Sequence, residues 1–267
     1  MIGANAVGYT STMVGLHQLW YTDYPKNSFH FFNDNAQWLQ MDKVGHTFSC
    51  YYEGLAGIEM MKWAGYNKKQ YSLIGGAYGL FIQTGVEILD GFSAQWGASY
   101  GDMIANLVGT GMVVAQSYYW DNQRLLLKYS FSPSQYASYR PSTLGTSILE
   151  QILKDYNGQT YWLSCNIHSF YPECKWPKWL NMAIGYGADG LIGGENNFFQ
   201  KDQIKYDYNH IKRVRQFYLS PDIDLSKFKS NHKILKSLAI VFNCLKFPMP
   251  TIEYNKESGI SGHWILF

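Results

Sequence analysis

Six polar residues sit inside otherwise apolar segments and are spaced to act together. Asp42 and His46 are four apart, Glu87 and Asp90 three apart, and Asp102 and Asn106 four apart. On a helix, each pair shares a face. Burying ionisable groups without partners is costly, so the three pairs are expected to converge on one another. His46, Glu87 and Asp102 should lie within hydrogen-bonding or one-water reach, with Asp42, Asp90 and Asn106 around them. A histidine beside carboxylates can act as an acid/base centre, because imidazole changes charge near neutral pH. The same residues also suit a buried network that only fixes helix register. Metal binding is the weaker reading, since the group holds one histidine, and no cofactor is implied. No G-x-S-x-G, P-loop or H-E-x-x-H pattern supplies a nucleophile, a phosphate cradle or a zinc pair.

The elements that must position these residues are helices. Residues 5–20, 42–64, 69–90 and 100–119 are apolar over most of their length, and turn-rich stretches separate them. Each is rich in Gly, Ala, Ser and Thr. Gly75 with Gly79, and Ala105 with Gly109, repeat the small-x-x-x-small spacing that lets helix backbones approach closely. Polar residues interrupt every segment, so a tight bundle, soluble or half-sunk in a bilayer, is expected ahead of true spanning helices.

From Arg124 onward the hydrophobic period changes to two. Six strand candidates follow: residues 124–132, 161–168, 179–187, 216–225, 251–254 and 262–267. In each of the well-formed ones, a large apolar face opposes a small or polar one. Tyr161, Leu163, Cys165 and Ile167 alternate with Ser164, Asn166 and His168. Leu180, Met182, Ile184 and Tyr186 alternate with Asn181, Ala183, Gly185 and Gly187. Transmembrane β-strands have this pattern, and so do half-buried strands of soluble sheets. A terminal Phe267 and the surplus of Tyr and Trp favour the membrane. Single-chain barrels usually start at about 8 strands. Two more strands are therefore expected, near Ser147–Asp155 or at the N-terminus, unless the helices flank an unusual sheet. Between 227 and 246, Lys227, Lys229, Lys233, Lys236 and Lys246 accompany Leu235, Leu238, Val241 and Phe242. That is an amphipathic helix suited to an anionic membrane surface or to packing on a core.

Composition bounds the rest. The 267 residues carry 22 basic and 20 acidic side chains, a net charge of +2, and 17% aromatics. Charge this sparse and balanced excludes a disordered tail or coiled coil, and offers no basic stripe for nucleic acid. A mean hydropathy of −0.24 excludes a polytopic helical transporter but not a barrel with a polar lumen. Four cysteines are too few for a disulfide scaffold; Cys165 and Cys174 are either a pair across a hairpin mouth or buried thiols. No Lys or Arg precedes Lys26, so the start lacks the basic region of a signal peptide; either the chain stays where it is made or, as the C-terminal strand pattern favours, the numbering begins after a targeting segment.

Three ordered motifs, Asp42-Lys43-x-x-His46, Glu87-x-x-Asp90-Gly91 and Asp102-x-x-x-Asn106-x-x-Gly109, resemble the YfiM-like family of predicted periplasmic or outer-membrane lipoproteins of Gram-negative bacteria. More loosely they are similar to VanZ-like membrane proteins. The resemblance covers about residues 38–115 and implies an envelope location but no reaction. The chain departs from the family by lacking a lipobox cysteine near its start and by its long C-terminal extension.

The expected fold is α+β: a helical bundle over 1–120, then an antiparallel sheet or barrel of outer-membrane type over 121–267. The leading function is an outer-membrane protein, structural or part of an assembly, without catalysis. Its expected partners are membrane lipid and other outer-membrane proteins. The alternative is a membrane-interface enzyme acting on lipid, lipopolysaccharide or envelope glycan through the His46 cluster.

Overall fold

The computed structural model describes residues 10, 13–15, 18, 25–228 and 232–266. The chain divides into two compact units, one formed by residues 1–36 and 42–123, the other by residues 37–41 and 124–267. The helix expected over 5–20 and the terminal Phe267 fall largely or wholly outside the described residues.

The first unit is helical. Helix α1 (Met41–Trp63) and helix α3 (Tyr100–Trp120) are continuous, whereas the segment between them is broken. It opens at Lys68–Gln70 under an Asn67 capping box, passes through a π-helical turn at Tyr71–Gly75, and resumes as α2 (Tyr78–Gly91). Ser99 caps α3 by accepting the Asp102 N–H at 3.2 Å. The small-residue steps work as close-approach points. A Cβ on Gly79 would stand 2.3 Å from the backbone oxygen of Cys50, and one on Gly109 2.2 Å from that of Thr47. Glycine is required at both places because α1 backbone already occupies the space. Residues 25–36 strap across the α2–α3 connection through backbone bonds such as His30 N–H to Gly91 O (2.9 Å) and Phe32 N–H to Ala98 O (3.0 Å).

The second unit is built on a six-stranded antiparallel sheet: β1 (Leu125–Phe131), β2 (Gln159–Cys165), β3 (Leu180–Asp189), β6 (Val214–Ile223), β7 (Met249–Asn255) and β8 (Gly259–Leu266), in that order. A separate hairpin, β4 (Phe198–Lys201) and β5 (Ile204–Asp207), interrupts the run between β3 and β6. All six strands fall on the six segments expected from alternation. The barrel does not. The sheet is open: among the described residues β1 and β8 pair with β2 and β7 alone in the sheet, and the outer edge of β1 is met by residues 244–246 instead. Ser147–Asp155 is not a further strand but caps and forms helix α4 (Ile148–Lys154). Its Ser-x-x-Glu start, with Ser147 Oγ accepting the Glu150 N–H, is a helix signal that the barrel expectation overrode. The amphipathic segment forms helix α5 (Lys233–Phe242), shorter than expected. Cys165 and Cys174 are free thiols.

The two faces of the sheet invert the usual soluble pattern. On one face Tyr129, Tyr161, Tyr186, Phe217 and Tyr254 stand opposite one another across five strands. The next row is Leu127, Leu163, Ile184, Leu219 and Ile252. This face is half-buried along β1 and β2, where Tyr161 packs against a buried cluster, and opens toward β8, with Ile184 58% and Ile260 78% exposed, and Trp264 on the last strand 90% exposed. The opposite face is polar and buried. There Lys128 and Asp222, each 0% exposed, form an ion pair at 2.9 Å. Ser164 donates to Asp222 at 2.6 Å and Asn181 to Ser164 at 2.9 Å. Lys246 binds Ser220 at 3.1 Å and lies 4.9 Å above the Trp162 ring. The Lys128 and Ser164 contacts both fall on Asp222 Oδ2, and the buried Oδ1 takes no hydrogen bond, so the pair is only partly satisfied.

Candidate functional site

Three elements of the helical unit and one loop meet at His46. Helix α1 supplies Asp42, Lys43 and His46; α2 supplies Glu87; α3 supplies Asp102 and Asn106; and the strap supplies Asp34. The His46 Nδ1–H donates to Asn106 Oδ1 at 3.1 Å. On the same side of the ring Glu87 Oε1 lies 3.8 Å away. Nε2 faces Asp42 Oδ1 at 3.9 Å and Asp102 Oδ1 at 4.0 Å. The Lys43 ammonium joins three carboxylates: Asp34 at 2.5 Å, Asp102 at 2.8 Å and Asp42 at 3.3 Å. Ser99 ties the periphery together, its N–H donating to Glu87 Oε2 at 2.8 Å and its hydroxyl to Asp34 Oδ1 at 2.6 Å.

Five of the six residues singled out by spacing therefore come together. Asn106, expected in an outer layer, makes the shortest contact to the ring. Asp90 is half-buried at the end of α2, and the ion pairs of His46 and Lys43 given above do not include it. Spacing did not reveal Asp34, which lies in an irregular loop with no periodicity to mark it. Lys43 was legible only as a neighbour of Asp42. A further, half-buried carboxylate, Glu53, accepts two hydrogen bonds from Gln83 Nε2 at 3.0 Å.

Burial and crowding of like charge set the electrostatics. Burial opposes a charge on His46, but Asp42, Asp102 and Glu87 outweigh it and hold the imidazole above its ordinary pKa. Burial, and then Asp42, push Asp102 up to about 8. Burial also raises Glu87, and takes Glu53 to about 7. Burial would raise Asp34, yet its hydrogen bonds to Lys43 and Ser99 win and lower it. Four carboxylates thus surround one ammonium and one imidazole. The centre is rich in negative charge and holds protons at neutral pH, which suits general acid/base chemistry or cation binding.

Residues 30–117 match the model of a family described as predicted periplasmic lipoprotein (DUF2279). The matched segment, about a third of the chain, contains every residue of this cluster, and over it the chain is similar to an envelope-associated family. No curated protein and no solved structure matches the chain. Gly185, Gly187 and Gly190 have the G-x-G-x-x-G spacing of a dinucleotide site. They run along and just beyond β3 in an antiparallel sheet, without the strand-to-helix turn that such a site needs.

Proposed function

We propose that the protein is a non-catalytic component of the Gram-negative outer membrane, held there by the open apolar face of its sheet, as its resemblance to YfiM-like proteins also suggests. The ordered rows of that face carry the reading. A row of aromatics beside a row of aliphatics is the arrangement that interfacial girdles and hydrocarbon belts share. A soluble protein would bury such a face and hydrate Lys128 and Asp222; here the burial is reversed. Along β3 the apolar residues run from Leu180 to Tyr186, about 20 Å at ~6.8 Å per same-face step. That is enough for one leaflet and short of the ~30 Å hydrocarbon core, so the sheet is seated in the membrane rather than across it. Partition of the purified chain between buffer and lipid vesicles tests this reading.

A second reading, an interface enzyme acting on lipid, lipopolysaccharide or envelope glycan, is supported by the accessibility of the His46 cluster. The Asp42 side chain is 26% exposed and that of His46 14%. In this reading His46, Asp42, Glu87, Asp90, Asp102 and Asn106 serve catalysis. His46→Ala would then fold normally yet fail to complement a deletion. Loss of function in proportion to loss of stability points to a register-fixing network instead.

A further inference from the structure

The chain makes a long excursion between β6 and β7, and it carries only positive charge. From Leu225 to Ile252 it holds no acidic residue, whereas Lys227, Lys229, Lys233 and Lys236 fall within ten positions. Asn243 closes the base of the excursion. Its Nδ2–H donates to Asp224 Oδ1 at 3.0 Å, and its Oδ1 accepts the Leu225 N–H at 2.8 Å. Residues 244–246 then bond to the outer edge of β1, with Cys244 O accepting the Tyr129 N–H at 2.8 Å. Helix α5 is thus tied to the sheet at its C-terminal end, but its apolar side is left bare. Leu235, Leu238, Val241 and Phe242 recur at helical spacing and are 45–64% exposed. By the same spacing Lys233 and Lys236 belong to the opposite half of the helix. Of the two roles that its sequence suits, packing on a core is the one this exposure excludes.

We propose that α5 and the lysines around its start bind an anionic phospholipid leaflet, the helix lying in the plane of the headgroups. Charge complementarity selects this occupant. A second copy would bring four more lysines against these four, and like charges repel. An anionic leaflet instead attracts them, strengthening binding about fivefold for each lysine held near its surface at low salt. Lys246 takes no part, since its ammonium is bonded to Ser220 and lies over the Trp162 ring inside the sheet unit. The apolar stripe supplies the rest of the attachment. A helix with lysines on one half and Leu, Val and Phe on the other settles ~5–10 Å into the boundary between headgroups and acyl chains. The proposal rests on the membrane attachment proposed for the sheet and adds a lipid class to it. The outer face of the sheet needs only hydrocarbon, whereas α5 needs negative headgroups.

The test is co-sedimentation of the full chain with phosphatidylcholine vesicles and, in parallel, with vesicles of phosphatidylcholine mixed with phosphatidylglycerol. The expected result is tighter partition onto the mixed vesicles at low salt, with the difference shrinking as added salt screens the charges. Lys233→Gln with Lys236→Gln should weaken partition onto the mixed vesicles at least tenfold and leave partition onto phosphatidylcholine unchanged. Leu238→Ser with Val241→Ser, at exposed positions, should also weaken it at least tenfold with the circular dichroism spectrum unchanged. Equal partition onto the two kinds of vesicle overturns the proposal. So does a preference for the mixed vesicles that either double variant leaves intact. Failure of the sheet reading registers separately, as absence of partition onto phosphatidylcholine alone.

Discussion

At the scale of single residues, the His46 cluster behaves as a store of protons. His46, Asp102 and Glu53 all have folded-state pKa values raised above their ordinary ones. A group raised in this way favours folding while the folded form alone keeps the proton. Its contribution is complete below the unfolded pKa and lost as pH rises through the folded one. The helical unit should therefore lose stability as pH rises from about 4 to 8, the span between the ordinary 3.8 and the raised value of about 8 for Asp102, with His46 adding to the loss above 6.5. Denaturant titrations across pH 5–9 check this, and His46→Gln should flatten the profile; stability that rises across this window would contradict it. Asn106 is wholly buried and accepts from both His46 and Cys50. Asn106→Leu should cost about 1–3 kcal/mol in the same titration, because it leaves a buried donor unmatched. Asp42, His46, Glu87, Asp102 and Asn106 were legible because helical spacing places polar residues on one face. Asp34 was not, since a loop residue reaches its partner through the path of the strap and not through a period.

At the scale of elements, helix contacts are set by missing side chains. Gly109→Ala places a Cβ about where the Thr47 oxygen already stands, and backbone cannot give way as a flexible side chain can. Overpacking of this kind costs about 1–3 kcal/mol or more, so the melting temperature should fall by several degrees. The β4–β5 turn tests the opposite case. Asp202 and Gln203 adopt φ values of 48° and 64°, the left-handed conformation of a two-residue hairpin that favours glycine. Gln203→Gly should stabilise the unit by about 0.5–1 kcal/mol, measurable as a raised denaturation midpoint. Strands were legible here because one face is large and apolar while the other is small or polar, a contrast that survives on either side of a sheet. The π-helical break at Tyr71–Gly75 was not, because the apolar pattern runs through it without a proline. Helix α4 was misjudged because four apolar residues among seven, Ile148, Leu149, Ile152 and Leu153, also fit a short buried strand.

At the scale of the whole molecule, strand alternation shows which residues share a face but not whether a sheet closes. Closure depends on shear and edge pairing, which side-chain pattern does not encode. Hence six strands were legible and their open arrangement was not. What the pattern did carry is the inversion of polarity: Lys128 and Asp222 inside, Ile184, Ile260 and Trp264 outside. The central claim is that this outer face meets lipid. Its most direct measurement is flotation of the purified, detergent-free chain with phospholipid vesicles, alongside a variant carrying Ile184→Glu and Leu219→Glu. The account predicts that the parent chain floats with the vesicles and that the variant, its fold intact by circular dichroism, stays in the dense fraction. A parent chain that remains soluble and monomeric below the vesicles would contradict it.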